Sequence, residues 1–141
     1  MAILTGDHHA EVRAAISLDL VPDKLPANTI DLDIYLGAAE REVIRIDADA
    51  ESRTGDEAAI VRTCAIYLTA AKLCPAVAYT LSIQMSNGQQ NYNRNAFNPE
   101  KRAAELRASA YEQLNELLED TAVEAVAMPT MFTKAIGRRG R

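Results

Sequence analysis

Between residues 30 and 46, the apolar side chains Leu32, Leu36, Ala39, Val43 and Ile46 recur at steps of four, three, four and three. That is the spacing of one helix face. A second row, Ile30, Ile34, Gly37 and Ile44, lies beside the first. So wide an apolar arc predicts a helix that meets neighbours on two sides, with Glu40, Arg41, Glu42 and Arg45 on its polar face. Asn28 or Thr29 is placed to cap it.

A shorter helix is expected upstream, with Asp7 as its cap, Val12, Ala15 and Ile16 on one face, and Pro22 as its stop. Residues 22–29 read as an extended connection, because Pro22 and Pro26 push the residues before them away from helical angles. The longest pattern begins near Asp56 or Glu57, whose carboxylates suit a helix N-terminus, and persists to Ser82 or Met85. Such a helix is roughly 40 Å long. Pro75 predicts a kink within it, because its ring crowds the carbonyl of Ala71 and it has no N–H to donate. Ile60, Val61, Ile66, Leu68, Leu73, Val77, Leu81 and Ile83 fit no single stripe, so part of this helix is expected to face another subunit.

The last helix has the clearest signals. Asn98 is placed as the cap, Pro99 as the first helical residue, and Ala103, Leu106, Ala110, Leu114 and Leu117 form the buried face through Glu119. Before it, residues 86–98 are rich in Asn and Gln, with Asn87-Gly88 as a turn signal. Tyr92, Arg94 and Phe97 in this loop have the side chains of a stacking platform for single-stranded nucleic acid, but one Arg does not make a basic groove. The loop is expected instead to pack on a neighbouring chain. Residues 47–55 are polar throughout, and Asp47, Asp49 and Glu51 alternate as at the start of a calcium loop. The sixth and twelfth positions hold Ser52 and Ala58 in place of the required Gly and Glu, so the segment reads as a solvated linker.

Composition sharpens this picture. The 141 residues are 48% hydrophobic and only 5% aromatic, with no Trp and much alanine, which favours close-packed helices over strands. The expectation is an all-α bundle of about four helices with a long central helix, a long polar loop and an extended C-terminal arm. The formal charge of −5 is uneven. Residues 1–121 hold 11 basic and 19 acidic side chains, whereas 122–141 hold 4 basic and 1 acidic. The chain therefore divides into a helical body, 1–121, and a basic arm, 122–141, with Met128, Met131, Phe132 and Ile136 as apolar anchors and Arg138, Arg139 and Arg141 at its tip. The opening residues lack the charged and apolar regions of a secretory signal. Arg62, Lys72 and Pro75 interrupt the most apolar stretch, so no membrane span is expected.

Candidate chemistry is sparse. Cys64 and Cys74 stand ten apart, neither a zinc pair nor a redox motif, and read as buried apolar residues. His8 and His9, with Asp7 and Glu11, are the nearest thing to a metal set. Adjacent helical residues do not share a face, and there is no third His, so the pair is expected to be exposed and no metal or other cofactor is expected. The pairs Asp31/Asp33 and Asp47/Asp49 are of a kind common on solvated faces. Phosphate loops and nucleophile elbows are absent from the sequence, and no enzyme is expected.

The order of segments carries more information. A short helix with the opening Val12-Arg13-Ala14-Ala15-Ile16-Ser17-Leu18-Asp19 is followed by a helix centred on Tyr35-Leu36-Gly37-Ala38-Ala39-Glu40-Arg41-Glu42-Val43. A polar linker with Gly55 then leads into a long alanine-rich helix that passes Cys74-Pro75. Over residues 10 to 120 this order resembles the head-to-tail connector, or adaptor, proteins of tailed bacteriophages. The resemblance implies a structural virion protein of the neck, made in the host cytoplasm, that forms a homo-oligomeric and typically dodecameric ring. It also implies portal protein on one side, a tail, stopper or terminator protein on the other, and DNA passing through the lumen without sequence-specific binding. By the same analogy the C-terminal arm extends to the portal. An acidic body suits such a channel, since phosphate affinity comes mainly from Lys and Arg. The alternative reading is a small helical nucleic-acid-binding or packaging factor that uses the basic tip and the Tyr92/Arg94/Phe97 loop.

Overall fold

Small side chains line the middle of the helix Gly55–Met85, where Cys64, Ala65, Ala70, Ala71 and Cys74 are all buried, so neighbouring helices approach it closely from several sides. The computed structural model describes residues 3–5, 7–17, 20, 22, 24–85 and 98–137, with side chains up to Ala78 before the loop and up to Thr121 after it. Among the described residues, five α-helices follow in order: α1 His8–Ile16, α2 Ala27–Ile30, α3 Ala38–Ile46, α4 Gly55–Met85 and α5 Pro99–Gly137. A π-helical turn, Asp33–Gly37, leads into α3, and a 3-10 turn, Ala50–Ser52, precedes α4. There is no strand among the described residues. The chain is the expected all-α bundle around a long central helix.

α4 is that centre. α5 packs along it, while α1 and α3 cover its other sides. Val61, Ile66, Leu68, Leu73 and Val77 are buried within the single chain and Ile60 is partly buried, while Leu81 and Ile83 lie outside the described side chains. Residues 55–78 are long and apolar enough to cross a membrane by length and composition, yet 61% of the apolar window is buried inside the bundle. That is the environment of a core helix. α4 continues as one helix through Pro75, which lies on its exposed side.

α5 carries the stripe its sequence predicts: Ala103, Leu106, Ala110, Leu114 and Leu117 are all buried. Each large side chain so placed contributes about 1.5–3 kcal/mol. Asn98 caps the helix by accepting a hydrogen bond from the Lys101 N–H at 3.0 Å, and Pro99 is its first residue. The Cys64 thiol donates to the Ala110 carbonyl at 3.4 Å, and the Arg53 guanidinium donates to the Thr121 hydroxyl at 3.4 Å. Residue numbers thus fall along α5 as they rise along α4, so the two helices are antiparallel and Thr121 stands level with the start of α4. The expected end near Glu119 is not observed, and α5 runs on to Gly137. At 1.5 Å per residue, that carries it about 24 Å past the point where α4 begins. The boundary at residue 121 is one of charge, with no break in the backbone.

Three expectations about the first half are corrected. Asp7 stands at the α1 N-cap without a capping hydrogen bond. Asn28 and Thr29 lie inside α2, whose N-cap is Pro26. The continuous helix expected over 30–46 is broken after α2, because Leu32 is extended (φ −60°, ψ 142°) and the π turn resets the rotation. Ile30, Ala39 and Val43 therefore reach the core, while Leu32 and Ile34 stay 49% and 66% exposed. The polar face of α3 is also less solvated than its charges suggest. Glu40 is buried and accepts the backbone N–H groups of Ile3 and Leu4, each at 2.7 Å, which fastens the N-terminal segment to α3.

Residues 47–55 are mostly exposed, as expected of a solvated linker, but Asp47, Ala50 and Arg53 turn inward. Asp47 and Arg53 have side chains only 2% and 7% exposed, joined by two contacts of 2.5 and 3.0 Å. Arg53 reaches on to Glu57 at 3.1 Å, so one guanidinium ties the end of α3, the start of α4 and Thr121 of α5 together. The hydrogen bonds that Arg53 donates to Asp47 hold the guanidinium charged well above its ordinary range, against the effect of burial. Gly55 closes the segment with φ +65°, a left-handed angle that any side chain would strain.

Candidate functional site

The break between α2 and α3 gathers the side chains that the bundle does not use for packing. Asp31 caps the end of α2, the π turn follows two residues later, and the first turn of α1 lies against both. Short π segments need a local reason, and here it is the switch from the extended Leu32 into α3.

Asp33 pairs with Arg41 through two hydrogen bonds of 3.0 and 3.1 Å. The pair is exposed, and the Arg41 hydrogen bond holds the Asp33 carboxyl below its ordinary range. Gly37 makes this fold-back possible: a Cβ there would meet Asp33 Oδ1 at 2.0 Å. Beside the pair opens a cleft lined by Ala38, Arg41, Glu42, Arg45 and Lys72. Glu42 is the one acidic residue among the three basic ones that line it. It forms an ion pair with Lys72 at 3.0 Å and accepts a hydrogen bond from the Tyr111 hydroxyl, which joins α3, α4 and α5. Burial pushes the Glu42 carboxyl up, but the Tyr111 and Lys72 hydrogen bonds outweigh it and leave the group below its ordinary value.

Asp31 has the more unusual surroundings. Nε2 of His8 lies 2.9 Å from Asp31 Oδ1, and Nε2 of His9 lies 2.9 Å from both Oδ1 and Oδ2. The exposed histidine pair expected from the sequence is not found: His8 is 6% exposed, with its side chain packed under α1. Adjacent helical positions do diverge, but the two long rings converge again at their tips because a third group lies between them. That group, Asp31, comes from 22 residues downstream of His9, and no spacing in the sequence marks it. Burial raises the Asp31 carboxyl, and the His8 and His9 hydrogen bonds more than reverse this, holding it below the ordinary range.

Cys64 and Cys74 are buried thiols, pushed up to about 12 and about 11 by burial, and are inert as nucleophiles. Among the remaining candidates, Tyr92, Arg94 and Phe97 lie outside the described residues, as do Arg138, Arg139 and Arg141. Met128, Met131, Phe132 and Ile136 fall on the α5 backbone, with side chains outside the described set. No family model, curated protein or solved structure matches this chain.

Proposed function

We propose that the chain is a head-to-tail adaptor of a tailed bacteriophage, a structural protein of the virion neck with no catalytic role. In this reading copies of it form a ring, dodecameric in the family its segment order resembles. The ring seats on the portal, receives a tail, stopper or terminator protein, and lets DNA pass through its lumen. The observation that carries the reading is the overrun of α5, which continues about 24 Å past the start of α4 just where the chain changes from acidic to basic. A helix extended past its own bundle, with Met and Phe in its sequence, has the composition of an interface element. The acidic body, 11 basic against 19 acidic residues, supports a lumen to which DNA does not adhere. Leu32 and Ile34, exposed on the turn before α3, offer lateral contacts within a ring.

The test is deletion of residues 122–141, which removes the overrun and leaves the α4–α5 pairing through Thr121 intact. The truncated chain is expected to keep its helical circular dichroism and melting temperature and to lose attachment to the portal in negative-stain images. Undiminished portal binding by the truncated chain would overturn the role given to α5. Salt-sensitive binding of free DNA by the full chain, lost with the same deletion, would favour the packaging-factor alternative.

A further inference from the structure

The three groups at the tip of α1 form a donor set that neither the fold nor the adaptor reading uses. Two imidazole Nε2 atoms and a carboxylate oxygen lie within 4.8 Å of one another, and both rings aim at the same oxygen, Asp31 Oδ1. Hydrogen bonding alone accounts poorly for this. If both rings were protonated, two imidazolium ions with centroids 4.2 Å apart would sit at the positive end of α1 against one carboxylate. If both were neutral donors through Nε2, the buried Nδ1 of His8 would be a bare acceptor, and it has no partner. An apolar side chain at position 8 would fill the same space without burying a polar ring atom. What the ring adds at this place is its Nε2.

We propose that His8, His9 and Asp31 bind a divalent first-row transition-metal ion of the Zn2+ type, through Nε2 of each ring and one carboxylate oxygen. Tetrahedral zinc holds such ligands at about 2.0–2.2 Å, which places neighbouring donors about 3.3 Å apart. The donors already stand 2.9 Å apart across the His–Asp contacts and all lie within 4.8 Å of one another, so the ion needs the carboxylate to withdraw slightly and the two ring nitrogens to close around it. Two nitrogen donors out of three favour zinc, cobalt or nickel over magnesium or calcium, which prefer all-oxygen sets. His9 and Asp31 have side chains 27% and 48% exposed, so the fourth position is open to water and the ion has a path of entry. The bound ion joins the first turn of α1 to the end of α2. It closes the segment between them and stabilises the N-terminal third of the chain by binding only its folded form.

The test uses the full chain without a polyhistidine tag, stripped with chelator, with Zn2+ as the titrant in calorimetry and Co2+ as the optical probe. One ion per chain is expected, with visible Co2+ absorption of tetrahedral type and no thiolate charge-transfer band. Saturating Zn2+ is expected to raise the melting temperature by about 5 °C. Because His8 is buried, the informative variants are His9→Ala and Asp31→Asn. Both alter exposed groups, and the asparagine can still accept hydrogen bonds from the rings. Each is expected to weaken Zn2+ binding by at least about 100-fold, the upper end of what loss of an outer-shell partner costs, with unchanged circular dichroism. No binding by the wild-type chain up to millimolar Zn2+, or binding that either variant retains within about tenfold, overturns the proposal.

Discussion

The sequence Asp-x-Asp occurs on both sides of α3, as Asp31-Leu32-Asp33 and as Asp47-Ala48-Asp49, and the fold uses the two in opposite ways. Upstream, Asp33 and Arg41 form a two-bonded pair whose side chains are 76% and 52% exposed. Downstream, Asp47 and Arg53 form a two-bonded pair whose side chains are 2% and 7% exposed. The contacts are similar in kind, but their energetic weight is not. In water an ion pair gives back most of its Coulomb attraction to screening and side-chain entropy. In the bundle, each charge depends on its partner because water no longer solvates it. The exposed pair shapes a turn and leaves its neighbours free for other ligands. The buried pair fixes where α3, α4 and α5 meet.

Removing one partner from each pair tests this directly. Arg53→Ala removes the ion-pair partner of buried Asp47, leaving it the Asp49 N–H as a hydrogen-bond donor, and is expected to lower stability by about 3–5 kcal/mol in urea denaturation. Asp33→Ala in the same assay is expected to leave the midpoint unchanged. Equal losses in the two variants would erase the distinction.

Glu42 lies between the two extremes, with a side chain 14% exposed. Glu42→Gln is expected to cost about 1.5 kcal/mol at neutral pH, as a charge-assisted hydrogen bond weakens. Its pH dependence follows from the direction of the shift. The folded-state value lies below the ordinary 4.5, so the contribution is full above 4.5 and is lost as the pH falls through the folded value. The stability gap between wild type and variant is therefore expected to be flat from pH 7 to about 5.5 and to close below 4.5. A gap that widens on acidification would contradict the assigned bonds.

The smallest effect is expected at Gly37. Its replacement by Ala puts a Cβ where the Asp33 carboxylate sits, and that exposed side chain can swing into water. The Gly37→Ala melting temperature is expected to stay put while the Arg41 guanidinium resonances in NMR shift to those of an unpaired arginine. A large fall in melting temperature would show that the exposed pair carries more of the fold than its exposure allows.

Much of this protein was legible from spacing alone. The α5 stripe from Ala103 to Leu117, its Asn98 cap and the extent of α4 to Met85 all follow from local periodicity and end signals. Local rules failed at the α2–α3 break. There a four-three repeat continues through residues 32 and 34, yet one extended residue and a π turn rotate both side chains outward. They failed again at Asp47 and Arg53, where polarity suggested solvent and Arg53 instead closes a junction of three helices. Neither outcome has a local signature, because both depend on which distant surface is near.

The sequence by itself determined that this chain is helical, where its two long helices begin, and that its charge divides at residue 121. Those properties arise from residues within a few turns of one another. Only the tertiary structure decided that the middle of α4 is buried within its own chain, that Asp47 belongs to a core junction while Asp33 lies on a surface turn, and that Asp31 meets His8 and His9. The physical reason is common to all three. Burial and convergence are set by partners tens of residues away, and a side chain's energy changes by several kcal/mol according to whether water or another side chain satisfies it.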